Sequence, residues 1–220
     1  MNSSRLRRLT EARLYGIVDL GYVEVSDCEA VTQALLDGGV DILQLRAKGV
    51  EVSQIAGLAE RLVPFCHARG VPFIVNDFVE IACEVGADGV HLGQEDGSIA
   101  EACARLPPGA LVGRSTHSPR QARAALAEGA SYIGFGPLFP TPTKQGRPGI
   151  GLEDIAEVER DVGEKIPVFC IGGVKGENLA GVLGAGARRV VIVSALLQAE
   201  DIVGRCEVIR AEIAQRELGT

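Results

Sequence analysis

Three polar residues, Gln44, Arg46 and Lys48, alternate with Leu43, Leu45 and Ala47 in one β-rich stretch. Side chains on a strand alternate faces, so the polar three share one side and the apolar three the other. The apolar side suits packing under helices, which sends Gln44, Arg46 and Lys48 toward an open mouth. Further on, Asp77 follows the run FIVN, and Asp96 closes the run HLGQED. If the strands ahead of these acids are neighbours, the carboxylates approach one another, and two unit charges about 4 Å apart repel by about 4 kcal/mol at an effective dielectric near 20. A bound divalent cation reverses that sign. An all-oxygen site with one or two carboxylates suits Mg2+, which completes its shell with phosphate oxygens and water. The other reading of both acids is helix N-capping, because each precedes a helical stretch. Glu95, beside Asp96, reads as a solvated neighbour.

A second group of residues offers backbone rather than charge. Gly172 and Gly173 follow a strand, and Ser194 follows another and begins a helix. Backbone N–H groups at such positions cradle an anion without a lysine. The loop Thr141-Pro142-Thr143-Lys144 adds two hydroxyls and one cation, stiffened by proline, with Gly146 and Gly149 as hinges of a lid. Its alternative is a solvated surface loop. Asn76 and Ser115 also stand at strand ends. Among the histidines, His91 reads as a satisfied interior residue and His67 as a surface helix residue. His117 lies at the mouth beside an N-cap.

For these residues to converge, their strands must end at one rim. Strands are expected over 14–20, 41–47, 72–76, 89–92, 111–115, 132–139, 167–172 and 189–194. Helical patterns separate them, the last running to about residue 217. Ser118 and Pro119 mark an N-cap and a first-turn proline. An internal repeat supports the alternation: GVDILQL, GADGVHL, GASYIGF and GARRVVI each join a helix-ending glycine to an even-numbered strand. Strands three, five and seven follow a proline instead. A two-unit period over eight units is what a closed (β/α)8 TIM barrel leaves in its sequence, and in that fold the site lies at the strand C-termini. An open doubly wound sheet is the alternative, but no GxGxxG follows the first strand. We therefore expect an α/β single domain over residues 1–220, with 1–13 an N-terminal extension forming a short helix.

Composition agrees. Hydrophobic residues make up 46% of the 220 positions but aromatic ones only 4%, which favours α/β layers of Ala, Val, Leu and Ile. A formal net charge of -7 provides no global field for nucleic acid or an anionic membrane, so any anion must be held locally. The six cysteines contain no CxxC pair and read as reduced, mostly buried small residues. No apolar run follows the N-terminal arginines, so a secretory signal is not expected, and the longest apolar run, 190–197, is too short to span a bilayer. The expectation is a cytoplasmic protein with small-molecule partners, no nucleic acid and no membrane; a homo-oligomer is compatible with it.

With these residues in place, the chain resembles the thiamine-phosphate synthase family from LYGIVD to VSALLQAED. The motifs that carry the likeness are QLRAK at 44–48, VND at 75–77, HLGQED at 91–96, GRSTHS at 113–118, GPLFPTPTK at 136–144 and IGGV at 171–174. The resemblance implies transfer of the aminomethylpyrimidine group from 4-amino-2-methyl-5-hydroxymethylpyrimidine diphosphate to a thiazole phosphate, releasing pyrophosphate. It implies that Gln44, Arg46, Lys48, Asn76, Ser115 and Lys144 bind the pyrimidine diphosphate, with Arg46, Lys48, Ser115 and Lys144 catalytic. It further implies that Asp77 and Asp96 bind Mg2+, and that Thr141, Thr143, Gly173, Val193 and Ser194 bind the thiazole phosphate. The sequence departs from the family pattern at Ala47, where an acid is usual, and at Val18, where threonine is commoner. The related thiazole tautomerase would be expected to lack the GQED acid, and a non-catalytic phosphate-binding barrel would need no metal carboxylates.

Overall fold

The four glycines of the repeat, Gly39, Gly86, Gly129 and Gly186, have φ of 83°, 68°, 90° and 108°, so each reverses the chain out of a helix and into a strand. The computed structural model describes residues 2–141 and 148–218. Its strands are β1 (Leu14–Asp19), β2 (Ile42–Arg46), β3 (Phe73–Asn76), β4 (Gly89–Leu92), β5 (Leu111–Thr116), β6 (Tyr132–Phe135), β7 (Val168–Cys170) and β8 (Val190–Ile192). All pair in parallel, and β8 returns to β1, closing the barrel and excluding the open sheet. Around it run α1 (Asn2–Glu11), α2 (Cys28–Asp37), α3 (Val52–Arg69), α4 (Val79–Glu84), α5 (Ile99–Arg105), α6 (Pro119–Ala127), α7 (Ile155–Val158), α8 (Gly176–Gly184), α9 (Ser194–Leu197) and α10 (Ile202–Leu218). This is the (β/α)8 TIM barrel.

Alternation along the strands divides the core in two. Leu14, Val18, Leu43, Leu45 and Ala47 join the large layer between barrel and helices. Tyr15, Ile17, Ile42, Ile74, Leu111, Tyr132, Phe169 and Val191 fill the barrel interior. Ala47 and Val18, the two departures from the family pattern, therefore face the helices and not the mouth. Helix α1 closes the opposite end: Leu9 and Ala12 pack into the interior cluster, and Arg5 Nε donates to Asp88 Oδ1 at 2.6 Å. The other oxygen of Asp88 takes the Phe73 amide at 2.9 Å and contacts His67 Nε2 at 3.0 Å.

Three elements differ from the sequence expectation. Strand β6 ends at Phe135 rather than continuing to residue 139, because the chain turns at Gly136 and Pro137 and crosses β7's C-terminal end. There the Leu138 and Phe139 amides donate to the Ile171 and Gly172 carbonyls. The helical pattern expected between the sixth and seventh strands is a single α-turn followed by the π-helical turn Glu159–Gly163. The last helix is split into α9 and α10, with Asp201 Oδ1 accepting from the Gly204 amide at 2.9 Å where α10 begins. Among the described residues, no helix is long and apolar enough to cross a membrane.

Candidate active site

The register pairs Ile17 with Gln44 and Asp19 with Arg46, so the ends of β1 and β2 stand level at the barrel mouth. Gln44 is buried, and its Nε2 donates to the Tyr15 hydroxyl at 2.8 Å. Arg46 reaches higher, where its Nη1 donates to both carboxylate oxygens of Asp19. Asp19 has almost no solvent exposure, and its Oδ1 also takes the Gly21 amide at 3.0 Å. Lys48, in the loop beyond β2, pairs with Asp77 Oδ2.

Asp77 follows β3 with a φ of 66°, an uncommon left-handed conformation for a residue with a side chain. Its amide donates to the His91 carbonyl at 2.9 Å, tying the turn to β4. Asp96 lies one strand over, its Oδ2 accepting from the Gly93 amide at 2.8 Å. The two carboxyl groups line the same hollow and influence each other's charge. Burial pushes Asp77 upward, Lys48 opposes this, and the nearby Asp96 carboxylate reinforces it. Burial also works against the charge of Asp96, but Asp77, the Gly93 amide, Lys48 and Arg114 together hold it below the ordinary carboxylate value. Neither acid caps a helix: α4 has Phe78 at its N-cap, and α5 has Ser98 in a reciprocal capping box with Glu101.

Arg46, Lys48, Asn76, Asp77, Gln94, Asp96, Ser115 and His117 line one open hollow over β2 to β5. Glu95 also lines it, with its side chain exposed. Arg46, Asn76 and Ser115 continue into a deeper hollow whose floor includes Tyr15, His91, Tyr132 and Phe169. Across the mouth, Thr141, Gly172, Gly173, Val193 and Ser194 line a third. The deep hollow and this cradle meet at Ile171, Val191 and Val193. Gly172 admits the crossing segment: a Cβ there would lie 2.3 Å from Pro137 Cα. Ser194 opens α9 as expected. Thr143 and Lys144 lie outside the described residues.

Four residues at the site escape a reading by motif. Asp19 is the last residue of LYGIVD, and an acid at that strand end was the available signal. Arg114 is buried on the helix-facing side of β5, and its Nη1 and Nη2 donate to the carbonyls of Gly93 and Gly97 at 2.5 and 2.8 Å, bracketing the turn that carries Asp96. Tyr15 and Tyr132 form the floor. His117 lines the mouth and is tied to the scaffold: its amide donates to Gln121 Oε1 at 2.7 Å, and its Nδ1 contacts the Gly136 carbonyl.

The family model described as "Thiamine monophosphate synthase" matches residues 14–196. A thiamine-phosphate synthase of Thermus thermophilus is 48% identical over 170 residues, covering 77% of this chain and 81% of the relative. One from Gloeobacter violaceus is 42% identical over 194 residues, covering 88% of this chain and 55% of that longer protein. The solved thiamine phosphate pyrophosphorylase of Pyrococcus furiosus superposes with a TM-score of 0.83 at 33% identity, covering 96% of this chain and 98% of its own. In sequence, barrel closure and the order of its motifs, the chain belongs to the thiamine-phosphate synthase family of transferases.

Proposed function

We propose that this chain joins 4-amino-2-methyl-5-hydroxymethylpyrimidine diphosphate to a thiazole phosphate in a Mg2+-dependent reaction, releasing pyrophosphate and thiamine phosphate. The observation that carries the reading is the division of the mouth, with cations and paired acids over β2 to β5 and a glycine-lined cradle over β7 and β8. The donor set fits the metal: Asp77 and Asp96 supply oxygen only, and among the described residues no third His, Cys, Asp or Glu joins them. Two carboxylates leave room for diphosphate oxygens and water, as Mg2+ prefers. Bound there, it would neutralise charge on the departing pyrophosphate.

Arg46, Lys48 and, beyond the described residues, Lys144 hold the diphosphate and stabilise charge as the carbon–oxygen bond breaks. Lys48 is paired with Asp77 and would exchange that partner for the diphosphate when the carboxylate turns to the metal. Gln44, Asn76 and Ser115 orient the pyrimidine, whose ring stabilises the cation left by bond cleavage. Thr141, Thr143, Gly173, Val193 and Ser194 hold the thiazole phosphate so that its ring nitrogen faces that cation and captures it. The protein's contribution is charge complementarity and alignment, with no protein nucleophile required.

The test is to mix both substrates with and without Mg2+ and measure pyrophosphate and thiamine phosphate. Metal-dependent formation of both supports the reading. Folded protein that forms neither would overturn it.

A further inference from the structure

The floor of the deep hollow is a continuous line of five polar side chains from five strands. Gln44 Nε2 donates to the Tyr15 hydroxyl at 2.8 Å. The Tyr15 and Tyr132 hydroxyls are 3.1 Å apart, the Tyr132 hydroxyl is 3.2 Å from His91 Nδ1, and His91 Nε2 is 3.0 Å from Ser115 Oγ. Both ends, Gln44 and Ser115, line the hollow where the pyrimidine is placed. The centre is sealed, with Tyr15 and Tyr132 almost without exposure and packed edge-on against Phe169.

The line has a built site. Gly113 on β5 leaves the space that the Tyr132 and His91 rings occupy: a Cβ there would lie 2.2 Å from Tyr132 Cζ and 2.6 Å from His91 Nδ1. Burial raises both phenols well above their ordinary value, so each keeps its proton and can donate it.

Polarity follows link by link. With Gln44 as donor, the Tyr15 oxygen accepts, and its own proton is directed to Tyr132. The Tyr132 proton is then directed to His91 Nδ1. A neutral imidazole carries one N–H and one lone pair, so acceptance at Nδ1 leaves the proton on Nε2, facing Ser115. Ser115 Oγ accepts it and has its own proton free for the hollow.

We infer that His91 is a positioning residue, held by Tyr132 as the Nε2–H tautomer, and that through it Ser115 is fixed as a hydrogen-bond donor to an acceptor atom of the bound pyrimidine. The identity of the ligand rests on the synthase reading; the polarity of the line does not. A serine hydroxyl alone can donate or accept, and fixing its direction selects an acceptor over a donor at that edge of the ring.

The experiment is NMR of the intact protein with 15N-labelled histidine, together with binding of the pyrimidine diphosphate and of the thiazole phosphate. Wild-type His91 should show a protonated Nε2 and a bare Nδ1. Tyr132→Phe, which removes the donor to Nδ1, should shift the proton toward Nδ1 and weaken pyrimidine diphosphate binding about tenfold, the scale of one hydrogen bond, with thiazole phosphate affinity unchanged. Tyr15→Phe breaks the line one link earlier and should preserve the tautomer. Ser115→Ala should lose the same affinity while keeping the tautomer, and it carries the test if Tyr132→Phe does not fold. A wild-type proton on Nδ1, or a folded Tyr132→Phe protein with tautomer and affinity unchanged, overturns the inference. The expected tautomer in a protein that makes no thiamine phosphate would overturn the synthase reading and leave the line standing.

Discussion

One guanidinium nitrogen of Arg46 lies 3.0 Å from Oδ1 and 2.9 Å from Oδ2 of Asp19, so the cation at the mouth is aimed by a carboxylate on the neighbouring strand. Removing Asp19 takes away the carboxylate that aims the Arg46 guanidinium. Asp19→Ala is expected to lower kcat/KM for the pyrimidine diphosphate by about 100-fold, the usual effect of a displaced charge-stabilising group. Steady-state kinetics measures this, and calorimetry should find thiazole phosphate binding unchanged. Equal loss of both would assign Asp19 to the scaffold alone.

Asp96 lines the same hollow as Asp77 and Lys48. Asp96→Ala should reduce turnover by about 100- to 1,000-fold, comparable with loss of one preorganised electrostatic contact. A Mn2+ titration followed by electron paramagnetic resonance should show binding lost in the variant, with thiazole phosphate affinity nearly intact. Chelation of metal from wild-type protein should stop pyrophosphate release, and added Mg2+ should restore it.

Arg114 donates to the carbonyls on either side of the Asp96 turn from a position with almost no solvent exposure. Arg114→Met retains the apolar stem and removes both donors. Losing hydrogen bonds from a charged donor costs about 1.5–3 kcal/mol, which a urea transition would register. The added expectation is a several-fold rise in the Mg2+ concentration that half-saturates activity. A stability loss without that rise would show that the turn does not depend on Arg114 for its aim.

Glu159 gives a pH dependence unrelated to catalysis. It is buried in the π-helical turn, Oε1 takes the Arg188 amide at 3.2 Å, and Oε2 has no hydrogen-bond partner. Burial raises it above the ordinary 4.5, with Arg188 opposing. The folded chain therefore holds a proton at pH values where the unfolded chain has lost it, so the contribution favours folding at low pH and is lost as pH rises through the folded value. Glu159→Gln should flatten that fall and be more stable than wild type at neutral pH. Urea midpoints across about pH 4 to 7 measure the difference. An unchanged slope would place the titration elsewhere.

The barrel was legible because its signals are local: helix-stopping glycines at positions 39, 86, 129 and 186, and a two-residue alternation that sorted Gln44, Arg46 and Lys48 from Leu43, Leu45 and Ala47. The paired acids were legible because neighbouring strand ends bring them together. Residues 136–139 misled, since GPLF is apolar enough for a strand while its amides bond to carbonyls 33 residues away, at Ile171 and Gly172. Tyr15 and Tyr132 are separated by 117 residues, and no local pattern connects them. Arg114 faces the helix layer, where an arginine reads as surface until Gly93 and Gly97 are seen at its tip.

The barrel closes through three pairs, Leu14 with Val190, Tyr15 with Val191 and Gly16 with Ile192. A chain emerging from the ribosome has no partner for that side of β1 until β8 has been made. Without β8 the other seven strands can pair only as an open sheet with two bare edges, and bare edges template aggregation. Stalled or truncated synthesis before residue 190 thus leaves an adhesive product, so chaperone demand should concentrate on nearly finished chains and fall abruptly once the last strand docks.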